Sequence, residues 1–488
     1  MRLFITAILF LFACTSCKKF LDVNPESDIS KSELFKTAEG FEEALNGVYS
    51  RASQGDLYGN ELTFGFLDVL AQNYSISFFD NMAYRQTSLF NYKDAAFISR
   101  KDAVWKGLYH AISSCNLILE NLESGKSILT NERYALIKGE ALALRAYFHF
   151  DLLRLFAPSY VTNAEAKGIP YVTTFSNKIT PMSTVKETME KITKDMEEAK
   201  ILLRPVDPIL TTAYTVGYPT DADPLEQASP LLFLHNRRHR MNYYAVCGSL
   251  ARAYLYADDK AKALQNAEEV IASQKFPWTN SVDFITPDET KKDRILYKEL
   301  LFSWYIPDMQ SSLMSRFGSG ASSFYIEENA GRALFEVAGV GAEDLRFKEW
   351  VRLAIDITSS RLELQKYLRD DETNRHPLVA PAIRLSEMYY IAAEAIFDTN
   401  PDKALEYFNT VRFQRGIGTQ LTLVASKEAF LRELTQEARK EFYGEGQIFY
   451  MYKRLNRNIV GQSGINYPAS SNLFVLPLPN DEIEFGKR

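Results

Sequence analysis

The sequence predicts a mainly α-helical protein, in which tetratricopeptide-like helix pairs form a superhelical scaffold and an irregular lobe contains short strands. The strongest evidence is a spacing shared by residues 246–272 and 385–412. In both segments two alanines lie twelve residues apart, and apolar residues follow four and seven positions after the second alanine. The alanines are Ala251 and Ala263 in the first segment and Ala392 and Ala404 in the second. Twelve residues separate the small close-packing positions of the two helices in a tetratricopeptide repeat, so this spacing predicts two such pairs.

Helical periodicity groups into three regions of the chain, at about 101–204, 241–273 and 383–455. In the first region, apolar and aromatic residues recur at i, i+4 and i+7 along a helix of about 101–123. A second helix at about 131–156 ends before Pro158, because proline does not continue a helix interior. Thr184 and Glu187 have the spacing of a capping box, which predicts that a third helix begins there.

The remaining segments predict a loop-rich lobe, from about 55–100, 205–240 and 276–382. They are rich in Pro, Gly, Ser and aromatic residues, and they include strand-like runs such as LLFSWYI at 300–306. Long irregular segments in a compact protein are usually functional. We therefore expect these segments to be functional, within a single domain that spans residues 17–488.

The N-terminus has the pattern of a lipoprotein signal peptide at residues 1–16. Arg2 precedes an apolar run that is too short to span a bilayer, and small residues stand immediately before Cys17. A cysteine directly after the cut is typical of a bacterial lipoprotein, so Cys17 is predicted to carry lipid. Cys14 occupies a position where a leucine-like residue is usual, and an ordinary signal peptide cut nearby is the alternative.

Composition argues against several classes of function. The chain has 62 acidic and 56 basic residues and a formal net charge of −6, whereas a nucleic-acid binder is expected to present a basic face. Cys115 and Cys247 lie in helical apolar patterns and are predicted to be free cysteines in the core. The sequence contains no nucleophile elbow, phosphate loop or dinucleotide fingerprint. It therefore predicts neither an enzyme nor a cofactor.

Two motifs have part of a metal-binding pattern. His235 and His239 have i, i+4 spacing, but two arginines stand between them where a zinc protease has glutamate, so a solvated basic segment is predicted. Asp221, Asp223 and Glu226 have carboxylates that suit calcium, but the loop glycine is missing. A solvated acidic loop is the favoured interpretation, and a structural calcium ion is the weakly supported alternative.

Several motifs occur in the order in which a known protein family has them. They are FEEALNGVY (41–49), WKGLYHAISSCN (105–116), GEALALRAYFHFDLLRLFA (139–157), RMNYYAV (240–246), EARKEFYGEGQIFYMYKR (437–454) and LPLPNDEIE (476–484). The ordered set resembles the SusD/RagB family of outer-membrane nutrient-binding lipoproteins along nearly the whole chain. The resemblance implies about four tetratricopeptide-like helix pairs and a ligand site in the loop-rich lobe.

The resemblance also implies a function without catalysis. Such a protein is anchored in the outer membrane through lipid on Cys17, faces the cell exterior, and delivers oligosaccharide to a SusC-like TonB-dependent transporter for polysaccharide utilisation. Lys18 and Lys19 depart from the family pattern, since surface-exported members often have acidic residues there. Two alternatives remain open: capture of peptide instead of glycan, and a tetratricopeptide scaffold that binds other proteins of the cell envelope.

Two aromatic-rich segments are predicted to bind the ligand, because sugar sites combine aromatic platforms with hydrogen-bonding groups. The first segment, residues 64–92, precedes the helix of Trp105, where family members place ligand-contacting loops. Its candidate residues are Asp68, Asn73, Tyr74, Tyr84 and Arg85. The candidates of the second segment are Trp278, Trp304 and Tyr305. Packing in the core is the alternative for the aromatic residues, and alternation along a strand should bury one of Trp304 and Tyr305.

Overall fold

The computed structural model describes residues 31–219, 226–318, 324–355, 360–369 and 374–486. It is mainly helical, as the sequence predicts. The long helices are α1 (Ala38–Ala52), α2 (Ala95–Gly125), α3 (Asn131–Phe156), α4 (Val185–Leu203), α5 (Tyr243–Tyr256), α6 (Lys260–Ser273), α7 (Leu385–Ile396), α8 (Pro401–Gln414) and α9 (Lys427–Glu441). Cys17, Lys18, Lys19 and the predicted signal peptide lie outside the described residues.

Side-chain caps fix where several of these helices begin. Thr184 accepts a hydrogen bond from the Glu187 backbone N–H at 3.1 Å, and the Glu187 carboxylate accepts one from the Thr184 backbone N–H at 2.9 Å. This capping box begins α4, which confirms the prediction from its spacing. Asp94 caps α2, so that helix starts several residues before the predicted position. A polar cap is a local signal that periodicity alone does not detect.

The long helices pack in chain order from α2 to α8, each against the next. The four alanines that define the repeated spacing are completely buried: Ala251, Ala263, Ala392 and Ala404. Small side chains at these positions let the helices approach closely, which confirms the predicted helix pairs. Helix α3 lies centrally, and every residue from Gly139 to Phe156 is buried.

The strands are short and form small antiparallel sheets. They are β1 (Ser75–Ile76), β2 (Lys167–Pro170), β3 (Met182–Thr184), β4 (Leu300–Tyr305), β5 (Phe324–Glu327), β6 (Val351–Ile355), β7 (Ser360–Leu364), β8 (Val379–Arg384), β9 (Ile459–Val460) and β10 (Asn466–Tyr467). One sheet has the order β1-β5-β7-β6, and β4 pairs with β8 so that Tyr305 lies opposite Val379. The strand-like run at 300–306 is therefore a strand, whose last residue reaches the surface.

Short helices fill much of the lobe that the sequence predicts as irregular. The short α-helices along the chain are Lys31–Leu34, Phe66–Leu70, Arg85–Ser88, Ser281–Ile285, Gln310–Phe317, Glu328–Leu334, Leu345–Trp350, Ile448–Arg454, Ser471–Phe474 and Asn480–Glu484. Short 3-10 helices include Leu232–Leu234, Arg237–His239 and Pro307–Met309. Buried hydrophobic residues from Phe35 to Leu476 form one contiguous cluster beneath both regions. The treatment of the chain as a single domain stays a prediction.

A buried network of ion pairs joins the lobe to the helical scaffold. Glu441, at the end of α9, lies 3.0 Å from Arg346, 2.6 Å from Arg384 and 2.7 Å from Arg415. Burial opposes ionisation of Glu441, but the three guanidinium groups hold its pKa well below the usual value. The carboxylate is therefore charged and bridges segments that are distant in sequence.

Two further findings concern anchoring and the cysteines. Within the described residues, no helix is both long enough and apolar enough to cross a bilayer. Cys115 and Cys247 are free and buried, as predicted, and burial raises the pKa of each thiol to about 12.

Candidate functional site

An open cleft of about 780 Å³ lies where α1, the segment around residues 232–240 and the end of β4 meet. Its walls combine an exposed aromatic ring with amide, hydroxyl and carboxylate groups. The residues on which its chemistry depends are Asn46, Tyr49, Asn236, His239, Arg240, Tyr305 and Asp308. Most come from loops or from the ends of helices and strands, so the long elements act as the frame that holds the cleft.

Tyr305 gives the cleft an aromatic platform. Its side chain is 49% exposed, while the preceding Trp304 is 1% exposed. The Tyr305 ring stacks on the His239 imidazole, with ring centroids 5.7 Å apart and planes 12° from parallel. Burial, together with the nearby Arg238, lowers the pKa of His239 to about 3, so this imidazole is neutral at physiological pH. A neutral ring behind Tyr305 fixes the platform without adding charge.

The polar wall beside the platform is fixed by buried ion pairs. Arg240 donates from Nη1 to Asn46 Oδ1 at 2.8 Å and from Nε to Glu140 Oε2 at 3.0 Å. The Tyr49 hydroxyl donates to Glu140 Oε2 at 2.6 Å. Burial opposes ionisation of Glu140, but Arg240 and Arg237 hold its pKa below the usual value. The side chains of Asn46 and Tyr49 are therefore held in place before any ligand arrives.

Asp308 differs from the other charged residues of the cleft. Its side chain is exposed, and it forms no hydrogen bond or ion pair with any described residue. By contrast, Arg240 is paired with Glu140, and Arg375 Nη1 lies 2.7 Å from Asp283 Oδ1. Because both arginines are paired, the cleft offers no excess of positive charge, and the Asp308 carboxylate is available to accept hydrogen bonds.

Four of the five candidate residues in the first predicted ligand segment are buried. Asn73 Nδ2 donates to Asp68 Oδ1 at 2.9 Å, and the Tyr74 hydroxyl donates to Asp68 Oδ2 at 3.2 Å. Burial raises the pKa of Asp68 to about 8. Tyr84 is also buried and donates to Glu61 at 2.7 Å. These polar groups bind one another in the core, and ligand contact by them stays a prediction.

The other four predicted residues each have a different environment. Arg85 Nη2 donates at 2.8 Å to the Ser77 and Phe78 carbonyl oxygens, and it holds the loop that contains them. Trp278 is half-buried against Tyr389, with ring centroids 5.2 Å apart. Trp304 packs at the base of the cleft.

The Trp304 ring stacks on Tyr58 at 4.4 Å and is part of the core. Tyr305 is the predicted residue whose ring lies exposed in the cleft. One of the two aromatic residues is buried, as predicted, but the reason differs from alternation: β4 is buried from Leu300 to Trp304, and Tyr305 is exposed because the strand ends there.

Sequence reasoning missed most of the polar wall. The sequence predicts a solvated basic segment around His235 and His239, but Arg237 and Arg238 between them are completely buried. Arg237 Nη1 lies 2.6 Å from Glu140, and Arg238 Nε lies 2.6 Å from Glu226. The sequence HNRRH at 235–239 does not predict this arrangement, because Glu140 and Glu226 come from other parts of the chain.

The ion pair between Arg238 and Glu226 changes the interpretation of the predicted acidic loop. Glu226 binds Arg238 and its side chain is 8% exposed, so the expectation of a solvated carboxylate is wrong at this position. Asp221 and Asp223 lie outside the described residues. In the described part of the chain, no group of three or more His, Cys, Asp or Glu side chains is placed to hold a metal ion.

The fold and the cleft together define a class of helical-repeat protein with a loop-rich lobe that carries an open site. Sequence profiles of known families agree with this class. Residues 19–212 match the family described as "Starch-binding associating with outer membrane", and residues 364–474 match the SusD family. The chain belongs to the SusD/RagB family.

Curated relatives match over part of their length. SusD-like protein P25 of Formosa agariphila is 25% identical over 163 residues, which are 32% of this chain and 31% of the relative. SusD-like protein P38 of the same organism is 28% identical over 198 residues, which are 40% of this chain and 35% of the relative. The matched region thus spans about a third of each curated relative.

Solved structures show the same fold over nearly the whole chain. A SusD superfamily protein from Bacteroides thetaiotaomicron has a TM-score of 0.73 at 23% identity, and the match covers 92% of this chain and 98% of that one. A SusD-like carbohydrate binding protein from Bacteroides vulgatus has a TM-score of 0.71 at 20% identity, with coverage of 92% and 97%. Together these matches confirm the predicted fold class.

Proposed function

We propose that the protein is a cell-surface lipoprotein that binds an oligosaccharide in the Tyr305 cleft and delivers it to a SusC-like TonB-dependent transporter, without catalysis. The observation that carries the proposal is the exposed Tyr305 ring, held against His239 and surrounded by hydrogen-bonding groups. A pyranose ring has apolar C–H faces and a rim of hydroxyl groups. An aromatic platform contacts the faces, while amide and carboxylate groups bind the rim.

The rigidity of the wall supports binding over chemistry. Asn46 and Tyr49 are fixed by Arg240 and Glu140, so little side-chain entropy is lost when a ligand arrives. The charged groups behind the wall are engaged in ion pairs with each other. Such an arrangement orients a ligand, and it leaves Asp308 as an exposed carboxylate that accepts hydrogen bonds from sugar hydroxyls.

The charge of the cleft favours a neutral oligosaccharide. Arg240 and Arg375 are paired, while the carboxylate of Asp308 has no described partner and would repel an acidic sugar. The volume of about 780 Å³ is within the range of small-molecule sites, and it accommodates a short oligosaccharide better than an extended polymer.

Family membership supports the cellular part of the proposal. The profile matched by residues 19–212 is described as associating with the outer membrane, and one structural relative is described as carbohydrate binding. A lipid on Cys17 would provide the anchor, and more than one acyl chain is needed for stable attachment. The transporter is proposed because members of this family are expected to work with one.

The proposal is tested with a soluble chain that lacks residues 1–16 and carries Cys17→Ser. Neutral and acidic oligosaccharides and peptides are screened for binding, and each hit is measured by isothermal titration calorimetry and analysed for cleavage products. We expect saturable binding of a neutral oligosaccharide, no products, and about tenfold weaker binding for Tyr305→Ala, since a lost aromatic contact is worth about 1 kcal/mol or more.

Phe413→Ala is the matched control, because Phe413 is an exposed aromatic residue on α8 outside the cleft. Binding that Tyr305→Ala leaves unchanged would reject the cleft as the site. Preference for a peptide would change the ligand class, and product formation would reject a role limited to binding. Co-purification of the intact lipoprotein with an outer-membrane transporter tests the delivery step.

A further inference from the structure

A second cleft, of about 640 Å³, has a different chemical character from the Tyr305 cleft. It lies between α9, the short helix Glu328–Leu334 and the segment 457–462. Helix α9 presents Arg432, Gln436 and Arg439 to it, since residues at i, i+4 and i+7 share one helix face. Arg457 lies on the opposite wall. Three arginines therefore face one space, and no Asp or Glu lines it in the described part of the chain.

The nearby carboxylates do not neutralise these arginines. Glu428 lies 2.8 Å from Arg457 and 4.0 Å from Arg432, so one carboxylate serves two guanidinium groups. Two other nearby acids, Glu336 and Glu437, bind Lys440 at 2.5 and 3.3 Å. The surroundings thus leave positive charge in the cleft.

Among the three arginines of this cleft, Arg439 is the one whose side-chain N–H donors have no partner among the described residues. No described residue forms an ion pair or a hydrogen bond with its side chain, and its Nε is buried without a partner. Because Arg439 lines the cleft and its side chain has no acceptor among the described residues, its guanidinium group is available to an acceptor that enters the cleft. The planar guanidinium group presents parallel N–H donors that match two oxygens of a carboxylate or a sulfate.

We propose that this cleft binds the carboxylate or sulfate group of an acidic saccharide, with Arg439 as the bidentate donor and Arg432 and Arg457 adding positive charge. The proposal goes beyond the function assigned to the Tyr305 cleft, with which it shares no lining residue. The cleft is much larger than a bare oxyanion, and Ala330, Ala333 and Leu334 form an apolar wall. That wall suits the carbon skeleton attached to the anionic group.

The test compares three probes on the soluble chain used above: glucuronate, glucose 6-sulfate and glucose. Each is titrated by ligand-observed NMR, at about 50 and about 300 mM sodium chloride, because salt screens exposed charges. We expect glucuronate, glucose 6-sulfate or both to bind saturably, glucose to bind at least tenfold more weakly, and the higher salt concentration to weaken the anionic probes. Binding of glucuronate alone assigns the site to uronic acids, and binding of glucose 6-sulfate alone assigns it to sulfated sugars.

Variants connect that binding to this cleft. Arg439→Gln and Arg432→Gln are each expected to weaken anionic binding at least fivefold, and Arg439→Lys tests the need for the planar fork. Arg432 is 61% exposed, so its variant retains the fold. The matched control is Arg204→Gln, which removes one exposed arginine outside the cleft.

Two results would overturn the proposal: anionic probes that bind no better than glucose, and anionic binding that survives both glutamine variants unchanged. Tyr305→Ala separates the two sites. It is expected to weaken neutral oligosaccharide binding while glucuronate and glucose 6-sulfate bind as before, so failure of one proposal does not decide the other.

Discussion

Replacing Asp68 with asparagine should change how the stability of the protein depends on pH. Asp68 is completely buried, and burial raises the pKa of its carboxyl from 3.8 to about 8. Asn73 and Tyr74 donate hydrogen bonds to it, which favours the charged form but only partly offsets the loss of solvation. At neutral pH the folded protein therefore holds this side chain mainly as the neutral acid.

The sign follows from proton binding. Between about pH 4 and about pH 8 the folded state holds a proton on Asp68 that the unfolded state has released, so stability falls as the pH rises through this range. Below this range Asp68 is protonated in both states. Above it Asp68 is ionised in both states, and the folded state bears the full free-energy cost of the buried charge. Each unit of pKa difference corresponds to about 1.4 kcal/mol, so the shift sets an upper limit of about 6 kcal/mol, and we expect a few kcal/mol.

The asparagine side chain of the Asp68→Asn variant would be neutral at every pH. It retains an oxygen that accepts from Asn73, and the Tyr74 hydroxyl can accept from its amide as readily as it donated to the acid. We expect Asp68→Asn to match the wild-type protein below about pH 4 and to be more stable by a few kcal/mol near about pH 9. The difference between the two profiles removes the titrating groups that do not interact with Asp68. Lys366, whose pKa burial lowers to about 8, interacts with the Asp68 carboxylate and titrates in the same range, so the two groups are measured together.

The assay is urea unfolding of both proteins at several pH values, followed by tryptophan fluorescence. Asp402→Asn is the control, since it removes an exposed carboxylate from the first turn of α8. Parallel profiles for wild type and Asp68→Asn would refute the reasoning, because they would show that Asp68 binds no extra proton in the folded state.

The other predictions concern the buried network, the repeat and the anchor. Glu441→Gln should lower the free energy of unfolding in urea by about 3–5 kcal/mol, because it leaves buried guanidinium groups without their shared carboxylate. The control is Glu428→Gln, which removes a carboxylate from an exposed ion pair and should lower the free energy of unfolding by about 1 kcal/mol or less. Ala404→Leu should cost about 1–3 kcal/mol in thermal unfolding, because the close helix contact has no room for the larger side chain, and an unchanged midpoint would contradict the close packing. Cys17→Ser in the full-length chain should move the protein from the membrane fraction to the soluble fraction in immunoblots of fractionated cells, and retention in the membrane would exclude Cys17 as the anchor.

Much of the helical scaffold could be predicted from sequence because its signals are local. The twelve-residue spacing of buried alanines requires only that two helices pack closely, and the Thr184 capping box requires only four consecutive residues. The predicted start of α2 was less accurate, because Asp94 caps the helix and extends it beyond its periodic face.

The candidate site could be predicted only in part. Alternation along β4 predicts that one of Trp304 and Tyr305 is buried, and it does not say which. Asp68 is a carboxylate in an aromatic-rich segment, which is the composition expected of a sugar site. In the structure, however, it accepts hydrogen bonds from Asn73 and Tyr74 in the core. Composition describes what a side chain is able to bind and not what surrounds it.

The sequence by itself determined the helix pairs and the family, since small-residue spacing and ordered motifs are properties of the chain. Only the tertiary structure decided that Tyr305 stacks on His239 and that Asn46 binds Arg240, 194 residues away in the sequence. It likewise decided that Arg439 faces a cleft without a lining carboxylate in the described part of the chain. Helix formation depends on contacts within a few residues, whereas exposure and charge balance depend on which distant segments pack together.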